Sequence, residues 1–475
     1  MFEIAYITGL SVAAFLAPIV GIMLILIAMQ FTKKRQTGFV YLIPYAIVLV
    51  AMADALFSGR SFDNIYSQLT FAEARPSINT WLVRVATFIM LMASFERIFT
   101  NAFKNKHIFG REPALTVCFI MFWMGSVGIP MFFSAHPSFS HDNFYSLIIG
   151  VAVLSLSQEE GEGFILALRN AFTLVIVAGF LMIAIKPNMV IAINYSQGII
   201  AGLPRFSGLL PHAVMQGIVA LGLLLILYVQ PFKNKILNGF AWLIGLIALF
   251  VAQSKTAWIS SLFCFGVLWW MTYKSSDHYA NNLKSRSKLA FILVATLLIL
   301  TLAVGLTILF GDVGARMDKF LFSSEGQQIA SFTGRDVIWQ FALDEWAKNP
   351  IFGYGPQFLN LEQRIVNGML NATHAHNQYL DTLARSGLVG LIPLVIYMLG
   401  IVLTVVKMTK DTRPLAVALF LLLIFSSISE VPFSLYGYGV ELLFQLIIFA
   451  IIISGLPNAI RKNLVQSNIQ PHSSL

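Results

Sequence analysis

Apolar runs of about twenty residues recur along most of the chain, and they constrain its fold more than any other feature of the sequence. A transmembrane α-helix needs about 20 consecutive apolar residues, whereas a strand of a transmembrane barrel needs only about 10 of alternating polarity. Hydrophobic residues make up 57% of the chain and charged residues only 11%, against roughly 25% charged in soluble domains. The sequence therefore excludes a soluble globule and predicts an all-α, polytopic transmembrane helical bundle.

Thirteen apolar runs are candidate spans, and they cover residues 4–30, 39–57, 81–99, 114–133, 144–157, 164–186, 212–230, 236–253, 257–273, 289–310, 387–406, 414–430 and 440–456. The first run contains Pro18 and is long enough for one tilted helix or a broken pair, and the fifth is short. We therefore expect 12 or 13 spans.

Basic residues alternate between the connections, which predicts the orientation of the chain. The basic clusters are Lys33-Lys34-Arg35, Lys104/Lys106/Arg111, Lys233/Lys235, Lys274/Lys284/Arg286/Lys288, Lys407/Lys410/Arg413 and Arg461/Lys462. Loops rich in Lys and Arg face the cytoplasm, so the net charge of +9 indicates membrane orientation rather than nucleic-acid binding. The outside loops are then 58–80, 134–143, 187–211, 254–256, 311–386 and 431–439.

The longest polar segment divides the chain into three parts: ten transmembrane helices in 1–310, an outer loop in 311–386, and C-terminal helices with a cytoplasmic tail in 387–475. Structureless connections of such length are uncommon and are usually functional. Within this loop a capping box at residues 333–336 and an apolar face from Ile338 to Trp346 predict an amphipathic helix at the membrane surface, which Asn349-Pro350 ends.

Arg335 lies in the first turn of this predicted helix. Free N–H groups, the helix dipole and a guanidinium all favour an anion at such a position. The alternative is that Arg335 pairs with a lipid phosphate or with Asp336.

His374 and His376 lie in Thr373-His374-Ala375-His376-Asn377, immediately before a span. Two histidines could bind a metal, but such a site needs further ligands, and the sequence has no Asp-x-Asp pair. We therefore predict no metal and no cofactor. The imidazole of His376 could act as a general base or position a hydroxyl; a structural role is the alternative. His374 or Asn377 could fix its tautomer.

Further charged residues fall where spans emerge on the outside, and they are Arg75, Arg84, Arg205, Lys255 and Glu430. Lys255 could simply snorkel to the headgroups, and Glu430 could pair with one of the arginines. Ionisable residues at such depths are functional candidates. Together with Arg335, the cations would form a basic, outward-opening cavity for a polyanion held at the membrane, such as a lipid pyrophosphate.

Several motifs in residues 250–400 together resemble the signature of the bacterial O-antigen ligase and polysaccharide polymerase superfamily. In chain order they are Ser254-Lys255-Thr256-Ala257, Gly334-Arg335-Asp336-Val337-Ile338-Trp339, Asn349-Pro350 with Gly353-Tyr354-Gly355, His374-Ala375-His376-Asn377-Gln378-Tyr379-Leu380 and Ser386-Gly387-Leu388-Val389-Gly390. The Ser-Lys-Thr form resembles the exopolysaccharide polymerases, because the ligases often have Ser-Arg-Gly there. Arg205, in Arg-Phe-Ser-Gly, resembles another arginine of the family, although the Asn that commonly follows is absent near His212.

The resemblance implies a fold like that of the GT-C membrane glycosyltransferases. It also implies metal-independent, inverting glycosyl transfer from an undecaprenyl-diphosphate-linked glycan at the periplasmic face of the inner membrane. By the same resemblance Arg335 would hold the donor diphosphate and His376 would activate the acceptor hydroxyl.

A polysaccharide polymerase that joins lipid-linked repeat units is the function we expect, with a chain-length regulator as a partner. An O-antigen ligase that transfers finished glycan to lipid A core is the alternative, since both reactions use the same donor. A flippase or transporter is the alternative from another class. Such proteins often have repeated halves and midplane charges, whereas the candidate residues here cluster at one face.

Overall fold

A computed structural model describes residues 38–62, 77–105, 110–192, 204–275, 335–369, 372–408 and 413–455. In chain order the helices are α1 (Leu42–Phe57), α2 (Ser77–Thr100), α3 (Pro113–Trp123), α4 (Pro130–Phe133), α5 (Tyr145–Leu154), α6 (Gln158–Ile185), α7 (Pro187–Val190), α8 (Ala213–Val229), α9 (Lys235–Val251), α10 (Lys255–Ser275), α11 (Arg335–Lys348), α12 (Leu361–Val366), α13 (Gln378–Lys407), α14 (Arg413–Ser427) and α15 (Val440–Gly455). Two short strands, β1 (Ile191–Ala192) and β2 (Arg205–Phe206), pair antiparallel.

The described helices confirm an all-α, polytopic membrane protein. Eleven of the thirteen predicted spans coincide with helices, and the other two, 4–30 and 289–310, lie outside the described residues. The total of 12 or 13 spans therefore stays a prediction. Among the described segments, five are long and apolar enough to cross a membrane: Phe39–Phe57, Ile78–Phe103, Pro113–Phe133, Gln158–Ile185 and Gln378–Lys407.

The centre of the bundle is formed by helices that are apolar on every side. In α15 each residue from Leu442 to Gly455 is buried, and this helix packs against α6, α14 and α5. By contrast α9 is apolar but keeps Ile236, Leu243 and Leu246 exposed. A helix that is hydrophobic all round lies inside a protein or in a membrane, so the exposed apolar face of α9 suits contact with lipid.

Polar contacts separate the two ends of the bundle. At one end Arg97 pairs with Glu160 at 2.6 Å and Lys407 with Glu112 at 3.2 Å, and these residues lie in or beside connections predicted to be cytoplasmic. At the other end the predicted outside loops bond to one another; for example, the Ala135 N–H donates to the Gly353 carbonyl at 3.0 Å. We call the second end, formed by loops 134–143, 204–212, 349–377 and 428–439, the outer end.

The long helix α13 is broken at Gly387, where φ is +58° and ψ is −154°. The segment 350–355 crosses this break and restores its backbone hydrogen bonds. Its amides donate to carbonyls 384–385 at 2.7 and 2.9 Å, and its carbonyls accept from amides 388–389 at 3.0 and 3.1 Å. The segment 350–355 is therefore a strap that seals a helix break.

Replacing Gly387 by alanine should destabilise this strap. An added Cβ would press on the Ile351 carbonyl oxygen, at a positive φ that side chains rarely adopt. We expect a loss of at least about 1–3 kcal/mol, read as a lower melting temperature of the detergent-purified protein. Gly239→Ala in α9 is the matched control because its Cβ would meet nothing within 4 Å. Equal melting temperatures of the two variants would contradict a stabilising role for the strap.

Candidate active site

The buried carboxylate of Glu430 lies at the centre of the outer end. Glu430 follows the last turn of α14, is only 3% exposed, and donates its backbone N–H to the Ser426 carbonyl at 2.7 Å. Four basic side chains surround it: Arg335 Nη2 is 3.6 Å from Oε1, while His376 Nδ1, His374 Nε2 and His212 Nε2 are 3.5, 3.6 and 3.9 Å from Oε2. The sequence-based alternative named Arg75, Arg84 or Arg205 as the partner of Glu430, whereas the arginine observed in an ion pair with it is Arg335.

Arg335 reaches this carboxylate because it begins α11. The predicted helix is present, and it ends at Lys348, before Asn349-Pro350; its capping residues 333–334 lie outside the described residues. Its apolar face, through Ile338 and Ala342, packs on a second core cluster that includes Phe358, Leu359, Leu380 and Ala384. The buried part of that face is thus covered by the chain itself, whereas contact of α11 with a membrane surface stays a prediction.

The loop that carries His374 and His376 is fixed by both neighbouring helices. The indole N–H of Trp339 in α11 donates to the Ala375 carbonyl at 2.9 Å. Asn377 is the N-cap of α13, and its side-chain oxygen accepts from the Tyr379 and Leu380 amides at 3.0 and 3.1 Å. Asn377 therefore serves the helix, and it is Glu430 that lies against His376 Nδ1.

The backbone of His376 is in the left-handed region, with φ at +49°. A residue other than glycine pays about 1–3 kcal/mol for such a conformation, and such residues cluster at functional sites. The loop holds this conformation because both of its sides are anchored by hydrogen bonds.

An ion pair next to the loop supplies one of these anchors. Asp381 accepts from the Ala375 amide through Oδ1 and from Arg385 Nε through Oδ2, each at 2.9 Å. Arg385 also donates to the carbonyls of Pro356 and Thr373 at 2.8 and 3.2 Å. Sequence reasoning did not single out this pair, which binds the histidine loop to the strap region.

Two of the three imidazoles have a definite tautomer. His374 Nδ1 accepts the His376 amide at 3.1 Å, and His212 Nδ1, at the N-cap of α8, accepts the Met215 amide at 3.2 Å. A neutral imidazole with an accepting Nδ1 carries its proton on Nε2, and in both residues Nε2 faces Glu430. His376 presents Nδ1 instead, which leaves its Nε2 directed away from the carboxylate.

This cluster has spacings that could enclose a metal ion, since ligand atoms of His212, His374 and Glu430 lie within 4.8 Å of one another. A metal would need an unprotonated Nε2 on both histidines, whereas their Nδ1 contacts place the proton there. The arrangement suits a carboxylate paired with a guanidinium and imidazoles better than a metal centre. Ligand counting in the sequence did not anticipate the cluster.

Burial and mutual contact set the charges of the cluster. Burial lowers the pKa of His374 to about 3 and also lowers the pKa of His212. Burial alone would raise the pKa of Glu430, but the three facing imidazoles outweigh it and hold the pKa of this carboxyl below its usual value. At neutral pH the site therefore holds an ionised Glu430 beside a neutral His374.

Arg205 and Lys255 lie next to the cluster. Arg205 in β2 donates to the Ala252 carbonyl at 3.1 Å, and its charge helps to lower the pKa of His212. Lys255 is exposed at the start of α10, and the adjacent Thr256 hydroxyl is 2.6 Å from that of Ser429. Both cations are thus placed where a bound anion at the outer end could reach them.

Arg84 and Arg75, the other two predicted cations, are not observed beside the Glu430 cluster in the part of the chain that the structure describes. Arg84 is exposed on α2 and its guanidinium lies 5.3 Å from the centre of the Trp81 ring; within the described residues no contact joins it to Glu430. Arg75 lies outside the described residues.

Sequence reasoning missed Arg60, which holds the segment carrying Arg205 and His212. Its guanidinium is buried and donates to the carbonyls of Gly208 and Leu210 at 2.5 Å and of Met189 at 2.9 Å. His212 was missed as well, and its place immediately before an apolar run, at an N-cap, was the one available signal.

Comparison with known proteins bears on the segment that carries the motifs. Residues 240–395 match the family model described as O-antigen ligase. The predicted family resemblance is confirmed over this third of the chain. No curated protein matches the chain. The match supports a membrane enzyme of the O-antigen ligase or polymerase type that acts on lipid-linked glycan.

The site combines residues from inside and outside the O-antigen ligase segment. Lys255, Arg335 and His376 lie within residues 240–395, whereas Arg205 and Glu430 lie outside them. The carboxylate at the centre of the cluster therefore lies in the segment after α14, which the O-antigen ligase match does not cover.

Proposed function

We propose that this protein is a polysaccharide polymerase, a glycosyltransferase that joins undecaprenyl-diphosphate-linked repeat units at the periplasmic face of the inner membrane. The observation that carries the proposal is the convergence of His376 and Arg335 on the two oxygens of Glu430. A base for the acceptor and a cation for the leaving group are thereby placed side by side. The O-antigen ligase match supports the substrate class.

In the reaction that we propose, the oxygen of an acceptor hydroxyl attacks the anomeric carbon of the donor. The new C–O bond forms as the bond to the diphosphate breaks, and the bonding electrons leave with the diphosphate oxygen. The hydroxyl proton passes to His376 Nε2. Attack opposite the leaving group inverts the anomeric configuration.

Glu430 supports His376 in the manner of the carboxylate in a catalytic triad. Its Oε2 lies 3.5 Å from Nδ1, so Nδ1 keeps a proton and Nε2 is free to accept one. A carboxylate in this position also stabilises the imidazolium that forms. The left-handed backbone of His376 fixes the direction in which the ring points.

Arg335 would stabilise the charge that develops on the diphosphate. Preorganised cations aimed at developing charge are usually the largest contribution to catalysis. Arg205 and Lys255, which lie on neighbouring elements, would add positive charge near the diphosphate. Arg75 and Arg84 remain proposed contributors, and Arg84 would have to leave Trp81 to take part.

Turnover of a purified lipid-linked repeat unit by the purified protein tests this function. We expect a ladder of products whose rate is the same with and without EDTA, because guanidinium and ammonium groups take the place of a metal. Absence of product would contradict the proposed function. A loss with EDTA that added metal restores would contradict the metal-independent mechanism alone.

Ligation of finished glycan to lipid A core is the second candidate, and the description of the matching family favours it. Deleting the gene separates the two reactions on a gel of surface glycan. Loss of a polymerase leaves single repeat units on the acceptor. Loss of a ligase leaves bare acceptor and accumulated lipid-linked polymer.

A further inference from the structure

A cavity of about 230 Å³ opens beside the Glu430 cluster at the outer end. Its apolar walls include Met215, Ile218 and Phe444, and its polar lining includes the carboxylates of Asp381, Glu430 and Glu441. The rest of the polar lining is formed by His374, Arg385, Thr373, Ser434 and Tyr436. The proposed mechanism uses Glu430 but leaves the rest of this cavity without a role.

Two of the three carboxylates have acceptor capacity that their protein contacts do not use. Both oxygens of Asp381 accept hydrogen bonds, from Ala375 and Arg385. Glu430 Oε1 is buried without a hydrogen-bond partner among the described residues, and Glu441, in the first turn of α15, bonds its own backbone amide. Buried acceptors normally have donors, so a ligand that fits this cavity has to bring hydrogen-bond donors.

A ligand in this cavity must also pack against its apolar walls and lie close to its carboxylates. Three carboxylates and one guanidinium line the cavity, and a further anion would meet like charge without solvent to screen it. A sugar ring meets these conditions, because its hydroxyls are donors and its C–H faces are apolar. The aromatic ring of Phe444 and the side chain of Ile218 offer the matching apolar surface.

We propose that this cavity binds the acceptor sugar and that Glu441 makes it select neutral or amino sugars over uronic acids. The inference rests on the proposed function, since it assigns the acceptor to the same site. The cavity is adjacent to the base: His374 lines it, and the ring centres of His374 and His376 are 4.2 Å apart. A sugar held there would present a hydroxyl beside His376.

The test compares wild type with Glu441→Gln, using methyl glucoside, methyl glucosaminide and methyl glucuronide as probes. Binding to the full-length protein in detergent is measured by saturation-transfer NMR, and competition is measured in the transfer assay. We expect the wild type to prefer the first two glycosides over the glucuronide by about tenfold or more, because like charge opposes the acid. In Glu441→Gln this preference should shrink, and KM for the acceptor should rise more than kcat falls.

Glu362→Gln is the matched control, since Glu362 is exposed on α12 at the same end and lines no part of the cavity. It should keep the wild-type preference, and all three proteins should melt at the same temperature. Equal binding of glucoside and glucuronide by the wild type would overturn the inference. An unchanged preference in Glu441→Gln would also overturn it. Neither result bears on the proposed function, which fails only if the wild type gives no transfer.

Discussion

Replacing His376 by alanine is expected to lower the rate of glycosyl transfer by about 10²–10⁴-fold, the usual contribution of a general base. The imidazole is placed by a left-handed backbone and by Glu430 at 3.5 Å. The measurement is the initial rate of polymer formation by purified protein in proteoliposomes. KM for the donor should change little, because Arg335 and its neighbours hold the diphosphate.

The control for this variant is His141→Ala. His141 is also at the outer end, in a short helical turn, but its side chain is 80% exposed. The His141→Ala protein should transfer glycan at the wild-type rate, and both variants should keep the wild-type melting temperature. Full activity of a folded His376→Ala protein would exclude His376 as the base and would leave it a structural residue.

Replacing Arg335 by alanine is expected to lower kcat/KM for the donor by about 10²–10³-fold, the usual cost of losing one preorganised charge-stabilising group. Arg335→Lys should recover part of the loss. A lysine keeps the charge but not the planar pair of donors that matches two phosphate oxygens. The measurement is the dependence of the transfer rate on the concentration of lipid-linked repeat unit.

Lys348→Ala is the control at the other end of the same helix. The Lys348 side chain is 65% exposed and pairs with Glu345 within α11, so its loss should leave transfer unchanged. Equal losses in the two variants would mean that α11 requires its charges for folding rather than for catalysis. A wild-type rate in Arg335→Ala would remove the arginine from the proposed mechanism.

The membrane helices could be predicted because each one is encoded within its own segment. An apolar run such as 414–430 gives α14 whatever surrounds it, since the bilayer requires a helix at that place. The capping pattern before Ile338 likewise predicts α11, which the structure begins at Arg335. The family motifs added, by resemblance, specific roles for His376 and Arg335.

The composition of the site could be predicted only in part. Arg335, His374, His376 and Glu430 were candidates from the sequence, and the structure brings all four together. His212, Arg60 and the Asp381–Arg385 pair were not, because each acts through contacts with distant segments. Arg60, for example, bonds carbonyls about 150 positions away, and no local pattern reports such a contact.

The sequence by itself determined a polytopic helical membrane protein, its two unequal ends and most of the residues proposed for chemistry. Only the tertiary structure decided that Glu430 is the centre on which three histidines and Arg335 converge, and that a carboxylate-lined cavity adjoins it. The physical reason is that helix formation depends on neighbouring residues. The position of one loop relative to another depends on how the whole bundle packs.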